Sequence, residues 1–151
     1  MGTNHMGRQS IRFPQPPVVR GFASVAGKKE REGPLGDQFT ATVQDTTFGE
    51  KSWEQAERRM QQMTLELALE KAGLTDADLD AAFAGDLLNQ CIGSSFSLRN
   101  RGVPTLGLYG ACSTMAESLL LAAMSVSGGF ARTALAMTSS HFASSERQYR
   151  F

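Results

Sequence analysis

Cysteine and histidine are scarce in this sequence. Cys91 and Cys112 are its two cysteines, and His5 and His141 are its two histidines. Neither cysteine has a CxxC partner and the histidines lie far apart, so no metal-ligand spacing is present. Two cysteines in a chain of 151 residues indicate free thiols of a reducing compartment rather than a disulfide framework.

The sequence also lacks an excess of charge of either sign and any long apolar run. Fifteen Lys and Arg residues balance fifteen Asp and Glu residues, whereas nucleic-acid-binding domains usually carry a basic face. No stretch reaches the roughly 20 apolar residues that cross a membrane, and no signal-peptide pattern opens the chain. The composition therefore predicts a soluble protein that does not bind nucleic acid.

The chain is long enough for one domain with a sizeable core. Met1–Gly7 resembles an expression-vector scar, so residues 1–12 are interpreted as a tag or a disordered lead-in. Residues 13–151 form the candidate domain, which begins with the proline-rich segment Phe13–Pro17.

Hydrophobic patterning and turn residues predict alternating strands and helices. Strands are expected over 18–26, 81–85, 105–109 and 133–138, helices over 52–72, 87–101 and 113–127, and connections without regular structure over 28–36 and 37–51. The first helix has the strongest signals, because Ser52 and Gln55 fit a capping box and Gly73 fits a C-terminal cap. This alternation predicts an α/β fold with a mostly parallel sheet covered by helices.

The expected helix over 113–127 is apolar or small on every side, with Glu117 as its one charged residue. Leu119, Leu120 and Leu121 alone cover more than half of its circumference, whereas a helix on a sheet normally keeps one polar face. We therefore expect cover on two sides, the second supplied by a missing half of the protein or by a partner chain. A chain without that cover should expose an apolar face and self-associate.

The candidate site consists of polar residues that directly follow three expected strands: Asp86 and Asn89 after the first of them, Cys112 and Ser113 after the second, and Ser140 and His141 after the third. Ligands bind beyond the carboxyl ends of parallel strands, and those ends lie at one edge of a sheet. We therefore expect the three clusters to converge.

Each of these residues also has an ordinary structural interpretation. Cys112 is expected at a tight strand-to-helix turn, where the helix N-terminus would stabilise a thiolate or bind an anion, but a buried packing cysteine fits there too. Asp86 and Asn89 could cap the next helix, and His141 could be an ordinary loop residue. Cys91, inside an ambiguous helix, is interpreted as packing.

Several segments resemble known families. Gly110–Thr114 resembles the nucleophile turn of thiolases and ketoacyl synthases. The segments that resemble the SpoVAD family of sporulation proteins are Ala84–Gln90, Gly128–Ala131 and Ser139–Phe151, with agreement also at Gly33–Gly36 and Trp53–Arg58. This resemblance runs from about residue 13 to residue 151.

The resemblance implies a thiolase fold, in which two similar halves pack around a buried pair of central helices. Residues 113–127 would be the central helix of the first half, and residues 13–151 a truncated N-terminal domain that ends before the last strand of that half. Thiolases also use a histidine and a second cysteine from the second half, so the resemblance implies that this chain is not itself an enzyme.

The resemblance further implies a non-enzymatic protein that binds dipicolinic acid (pyridine-2,6-dicarboxylate) for uptake into the developing spore. The implied partners are the SpoVA membrane proteins and a second copy of the chain, and the implied location is peripheral, on the cytoplasmic face of the forespore inner membrane. The ligand-binding residues would be Asp86, Asn89, Cys112, Ser113, Ser140 and His141.

No cofactor or protein-bound metal is expected, although calcium could accompany dipicolinate. A bridging calcium would reconcile the carboxylate of Asp86 with a dianionic ligand. Two other functions stay open: an acyltransferase or condensing enzyme with Cys112 as nucleophile, and a purely structural dimerisation module.

Overall fold

The computed structural model describes residues 4–150; Met1–Thr3, where the expected tag begins, and Phe151 lie outside the described residues. In chain order the strands are β1 (His5–Met6), β2 (Ser10–Ile11), β3 (Val25–Ala26), β4 (Ala41–Thr42), β5 (Ala81–Gly85), β6 (Thr105–Gly107) and β7 (Ala134–Thr138). The α-helices are α1 (Lys28–Arg31), α2 (Trp53–Ala72), α3 (Ile92–Leu98), α4 (Thr114–Ser127) and α5 (Phe142–Tyr149).

Three parallel strands form the central sheet, with β5 between β6 and β7. Successive side chains of a strand point to opposite faces, and Ala82 and Ala84 of β5 join the apolar core on one face together with Leu65 of α2 and Leu98 of α3. Helix α4 packs against β5 and β7. Helices therefore cover both faces of the sheet, which confirms the predicted α/β architecture.

Helix α2 forms where the sequence predicts it. Ser52 is its N-cap and accepts a hydrogen bond from the backbone N–H of Gln55. Gly73 ends the helix in the left-handed conformation with φ of 64°, which glycine adopts without the steric cost of a Cβ atom. The spacing of caps and helix-forming residues was sufficient to define both ends.

The predicted helix over 87–101 is wrong in its first part. Gln90 and Cys91 have φ values of 59° and 51°, a left-handed backbone that interrupts any right-handed helix. The chain instead forms an irregular segment with a 3₁₀ turn at Asn89–Cys91, and α3 begins at Ile92.

The predicted strand over 18–26 is also largely wrong. Only β3 at its end is paired, in parallel with β4, and this two-stranded ladder is separate from the central sheet. Val18, Val19 and Phe22 are exposed, because the described residues offer them no neighbouring strand. The short helix α1 lies where no regular structure was expected.

Two other parts of the chain differ from expectation. Strands β1 and β2 pair antiparallel within the expected lead-in of residues 1–12. Helix α5 was not predicted and begins directly after His141, its N-cap residue. Among residues 4–150, no helix combines the length and the apolar character that crossing a bilayer requires.

Candidate functional site

The three candidate loops leave the central sheet at the same edge. In the parallel register, Ala84 of β5 lies opposite Gly107 of β6, and Gly85 lies opposite Thr138 of β7. The residues that follow each strand therefore start side by side, as the sequence predicted. Gly85 also permits close packing, because a Cβ atom there would lie 2.1 Å from the carbonyl oxygen of Leu108.

Asp86 is fully buried directly after β5. One carboxylate oxygen, Oδ1, accepts from the backbone N–H of Leu88 at 2.9 Å. The other, Oδ2, accepts from the backbone N–H of Ser94 at 2.8 Å and from its hydroxyl at 2.7 Å. These bonds fix the irregular segment and the first turn of α3, whose N-cap residue is Cys91.

A second buried carboxylate lies close to Asp86 and was not predicted. Glu57 of α2 is 0% exposed and accepts from the hydroxyls of Ser139 at 2.7 Å and Ser144 at 2.6 Å. Burial raises the pKa of Glu57, and the negative charge of Asp86 raises it further. Glu57 thereby connects α2 with the loop after β7 and the first turn of α5.

Gln61, one helical turn after Glu57, connects the two carboxylates. Its Nε2 donates to the hydroxyls of Ser94 at 3.1 Å and Ser139 at 2.6 Å, and its Oε1 accepts from the hydroxyl of Ser97 at 2.6 Å. Polar atoms run without a gap from Asp86 through Ser94, Gln61 and Ser139 to Glu57. We call these residues, together with Ser97 and Ser144, the buried polar network.

A sequence signal for this network exists. Glu57 and Gln61 are four residues apart, so they occupy one face of α2, and the buried face of that helix is Ala56, Glu57, Met60, Gln61 and Leu65. The predicted apolar face of Met60, Met63 and Leu67 included only one of these residues. Polar side chains on the packed face of a helix are buried only with hydrogen-bond partners, and those partners lie more than 30 residues away in sequence.

His141 is held by both of its ring nitrogens. Nδ1 accepts from the backbone N–H of Ser144 at 3.4 Å, and Nε2 lies 2.9 Å from the carbonyl oxygen of Thr46. A carbonyl can only accept, so Nε2 carries the proton. The ring of Trp53 lies 5.7 Å away between centroids. In this chain His141 therefore fixes the start of α5, and both of its ring nitrogens are engaged.

Cys112 is exposed in a 3₁₀ turn at Ala111–Ser113 that leads directly into α4. Ala111 has φ of 49°, a conformation that costs energy for a residue with a Cβ atom and so marks a constrained turn. The hydroxyl of Ser113 lies 2.7 Å from the carbonyl oxygen of Gly110 and 2.5 Å from Oε1 of Glu117. The tight turn predicted for Cys112 is present.

The C-terminal end of α5 connects the loop after β5 with the loop after β6. The side-chain carbonyl of Gln148 accepts from the backbone N–H of Asn89 at 2.8 Å. Tyr149 donates its hydroxyl to the carbonyl oxygen of Leu87 at 2.9 Å and lies 3.1 Å from the hydroxyl of Tyr109. The hydrogen bond with Tyr109 is the main reason that the pKa of Tyr149 is raised. Asn89 and Ser140 are exposed at this edge.

The structure thus brings the predicted residues to one edge of the sheet but not into one cavity. Asp86 belongs to the buried polar network and His141 adjoins it, whereas Cys112 and Ser113 lie on a separate exposed turn. One depression of about 270 Å³ lies between α3 and β6, with Arg99 and Thr105 in its lining, and another of about 320 Å³ lies near Arg12. None of the six predicted residues lines either depression.

The described residues contain neither a cluster of metal ligands nor a second exposed thiol. Within residues 4–150, no group of three or more His, Cys, Asp or Glu side chains could hold a metal. Cys91 is buried and donates its thiol to the carbonyl oxygen of Leu108 at 3.2 Å. Burial, followed by the charge of Asp86, raises the pKa of Cys91, as is typical of a packing cysteine.

Comparison with known proteins identifies the family. The family model for stage V sporulation protein AD (SpoVAD) matches residues 7–151. The chain belongs to the SpoVAD family. Stage V sporulation protein AD of Bacillus subtilis (strain 168) is 43% identical over 145 residues, which are 96% of this chain and 43% of that protein. The chain therefore spans less than half the length of this curated SpoVAD relative.

A solved structure supports the thiolase-like fold of this SpoVAD chain. The crystal structure of 3-oxoacyl-(acyl carrier protein) synthase III from Xanthomonas oryzae pv. oryzae matches with a TM-score of 0.53, covering 78% of this chain and 41% of that one. Its sequence identity is 17%, so the likeness shows the fold alone. The fold expected from the sequence is confirmed, and the family to which the chain belongs is one of sporulation proteins.

Proposed function

We propose that this chain belongs to a non-enzymatic protein that binds dipicolinic acid during spore formation. Membership of a sporulation family supports the cellular setting. The main support for the proposal is the parallel register of the strands. Because of this register, the loops after β5, β6 and β7 begin at one edge of the sheet. A flat ligand with carboxylates on two sides needs donors from different directions, and converging loops supply them.

The donors for a dianion are the exposed polar groups at this edge. Asn89, Cys112, Ser113 and Ser140 are all exposed. Cys112 and Ser140 can donate an S–H or O–H to a carboxylate, whereas the hydroxyl proton of Ser113 is engaged by Gly110 and Glu117 and would have to turn towards the ligand. Cys112 and Ser113 also precede the N-terminus of α4, where the helix dipole favours negative charge. Asp86 supports this edge from within, because its two oxygens already accept three hydrogen bonds.

Calcium would then arrive as part of the ligand. A calcium ion takes six to eight oxygen ligands, whereas Asp86 is buried and engaged. In this proposal the chelate of calcium and dipicolinate carries most of the metal's ligands itself, and the chain contributes hydroxyls and amides from its exposed loops.

The second candidate function is acyl transfer with Cys112 as nucleophile, favoured by the exposure of this thiol on a constrained turn before a helix. A cysteine nucleophile needs an adjacent base. The histidine of this sheet edge, His141, has both nitrogens engaged by Thr46 and Ser144. This argues for binding rather than catalysis by this chain.

The proposal includes partners and a location. We infer that the protein acts peripherally at the cytoplasmic face of the forespore inner membrane, recruited by the SpoVA membrane proteins, and that it forms a homodimer. The apolar row of Leu119, Leu120 and Met124 on α4, each more than 40% exposed, supports further protein contact on that side.

Calorimetry tests the binding function directly. The longest natural chain that contains this sequence is titrated with dipicolinate, with and without calcium. We expect saturable binding that weakens about tenfold or more in Cys112→Ala and in Ser140→Ala, as for loss of a hydrogen bond to a charged group. Ser95→Ala, an exposed serine on α3, is the matched control and should bind normally. Absence of saturable heat in the unmodified protein would refute the proposal.

Intact mass spectrometry tests the enzymatic alternative. The protein is incubated with acyl-CoA thioesters of different chain lengths. We expect no stable adduct. An added acyl mass that disappears in Cys112→Ala would establish acyl transfer instead.

A further inference from the structure

Glu57 is placed where a leucine would normally be expected. It lies on the buried face of α2, between Ala56 and Met60, with an exposed fraction of 0%. Removing a carboxylate from water costs several kcal/mol unless good hydrogen bonds replace the water. Within residues 4–150, the hydrogen-bond partners of Glu57 are the hydroxyls of Ser139 and Ser144, so these contacts are the reason that the carboxylate can be buried.

The two hydrogen bonds reach the two sides of the loop after β7. On one side, Ser139 directly follows the strand and precedes the exposed Ser140. On the other side, Ser144 lies in the first turn of α5, and its backbone N–H and hydroxyl both contact His141. A single carboxylate on α2 therefore fixes both ends of the segment that carries Ser140 and His141.

The same carboxylate is linked to the loop after β5. Ser139 donates to Glu57 and accepts from Gln61, which also donates to Ser94, and Ser94 donates to Asp86. The distances along this path are 2.6–3.1 Å. A displacement of Glu57 would thus change the relative position of two of the three candidate loops.

We propose that Glu57 is a positioning residue of the ligand edge, which sets the loop after β7 in place relative to Asp86 through the buried polar network. The part of this proposal that concerns ligand affinity depends on the proposed function. The part that concerns the geometry of His141 does not.

The test separates hydrogen bonding from side-chain volume. Glu57→Gln can preserve the network, because its Oε1 can accept from Ser139 and its Nε2 can donate to Ser144, whose hydroxyl is free to turn towards the carbonyl oxygen of His141. Glu57→Ala removes both bonds. Glu70→Ala, an exposed glutamate near the end of the same helix, is the matched control.

The first measurement is dipicolinate affinity by calorimetry in the longest natural chain that contains this sequence. We expect Glu57→Ala to weaken binding about tenfold or more, and Glu57→Gln to stay within about threefold of the unmodified protein. Unchanged affinity in Glu57→Ala would overturn the positioning role at the ligand edge, as would an equal loss in Glu57→Gln.

The second measurement needs no ligand. Nitrogen-15 NMR of the imidazole should show a single tautomer of His141 with the proton on Nε2, assigned by its absence in His141→Gln. We expect Glu57→Gln and Glu70→Ala to keep this signature, and Glu57→Ala to lose it by tautomer averaging. An unchanged tautomer in Glu57→Ala would overturn the proposal.

The two measurements distinguish failure of the two proposals. Absence of dipicolinate binding in every form, with the His141 signature lost in Glu57→Ala alone, would refute the proposed function and support the positioning role. If Glu57→Ala does not fold, Ser144→Ala replaces it, because it removes only the link between Glu57 and His141. An unchanged His141 tautomer in Ser144→Ala would then overturn the proposal.

Discussion

Helices α2 and α4 cover opposite faces of one sheet and differ in the kind of side chain that they bury and expose. Helix α2 buries the polar side chains of Glu57 and Gln61, and hydrogen-bond partners on other elements satisfy both. Helix α4 buries the small residues Thr114, Ser118 and Ala122. Its large apolar side chains Leu119, Leu120 and Met124 are 49%, 44% and 44% exposed on the outer face.

The two helices therefore differ in how far the described residues cover them. Glu57 and Gln61 both have hydrogen-bond partners within residues 4–150, although Nε of Arg58 on the same helix is buried without one. The outer face of α4 matches the sequence-based prediction of a helix that needs cover on two sides. The resemblance to thiolases implied a second central helix as that cover, and this stays a prediction.

The largest expected effect contrasts one leucine from each helix. Leu65 of α2 is 1% exposed in the core, so Leu65→Ala should lower the free energy of unfolding by about 2–5 kcal/mol. Leu119→Ala on the outer face of α4 should cost about 0.5 kcal/mol or less. Urea denaturation of the 151-residue chain measures both. Equal losses would contradict the contrast, whereas a larger Leu119→Ala loss in a longer natural chain would show that α4 becomes covered.

Asp86 gives the next largest effect, in the buried polar network to which α2 contributes. Asp86→Ala leaves the backbone N–H groups of Leu88 and Ser94 buried without their acceptor, at a cost of about 1–3 kcal/mol. Asp86→Asn keeps one acceptor oxygen and should cost less. Thermal unfolding of both variants checks this order. If Asp86→Ala did not lower the stability, water would have to reach the buried polar network despite the cover of α2.

The pH dependence of stability gives the smallest effect. The pKa of Glu57 is raised in the folded chain by burial and by the charge of Asp86, so the folded state binds its proton more tightly than the unfolded state. This contribution to stability is present below the unfolded pKa and is lost as pH rises through the folded pKa. The groups facing Glu57 are Asp86 and His141.

Glu57→Gln should remove this contribution. Urea denaturation at a series of pH values should show a stability that falls with rising pH in the unmodified chain more than in Glu57→Gln, with Glu70→Gln as control. At neutral pH, Glu57→Gln should be as stable as the unmodified chain or more stable, because no charge is buried. Identical pH profiles would mean that Glu57 is solvated in solution.

Sequence signals of short range predicted α2, α4 and two strands of the central sheet. Ser52 and Gly73 defined α2, Gly128 follows the end of α4, and the strands over 81–85 and 133–138 were located within one residue. One error fell where a side chain outside the periodic pattern decides the backbone. The helix predicted from residue 87 failed because Asp86 holds Leu88 and Ser94 in an irregular segment.

The candidate site was predicted in its position but not in its internal contacts. The three loops were predicted to lie together because the carboxyl ends of parallel strands share one edge of a sheet, whatever the side-chain contacts are. The roles of Glu57 and Ser144 were missed because the i, i+4 spacing of Glu57 and Gln61 does not show that their face is buried, which depends on hydrogen bonds such as the one across 87 residues of sequence. His141 was correctly located after β7, while its engagement by Thr46 required the folded position of a loop 95 residues away.

The sequence by itself determined the α/β alternation, the apolar character of α4 and the edge at which the polar loops leave the sheet, because these depend on local periodicity and on the direction of the strands. Only the tertiary structure decided which polar side chains are buried and which are free. That outcome depends on whether a partner from a distant segment arrives within hydrogen-bond distance to replace water.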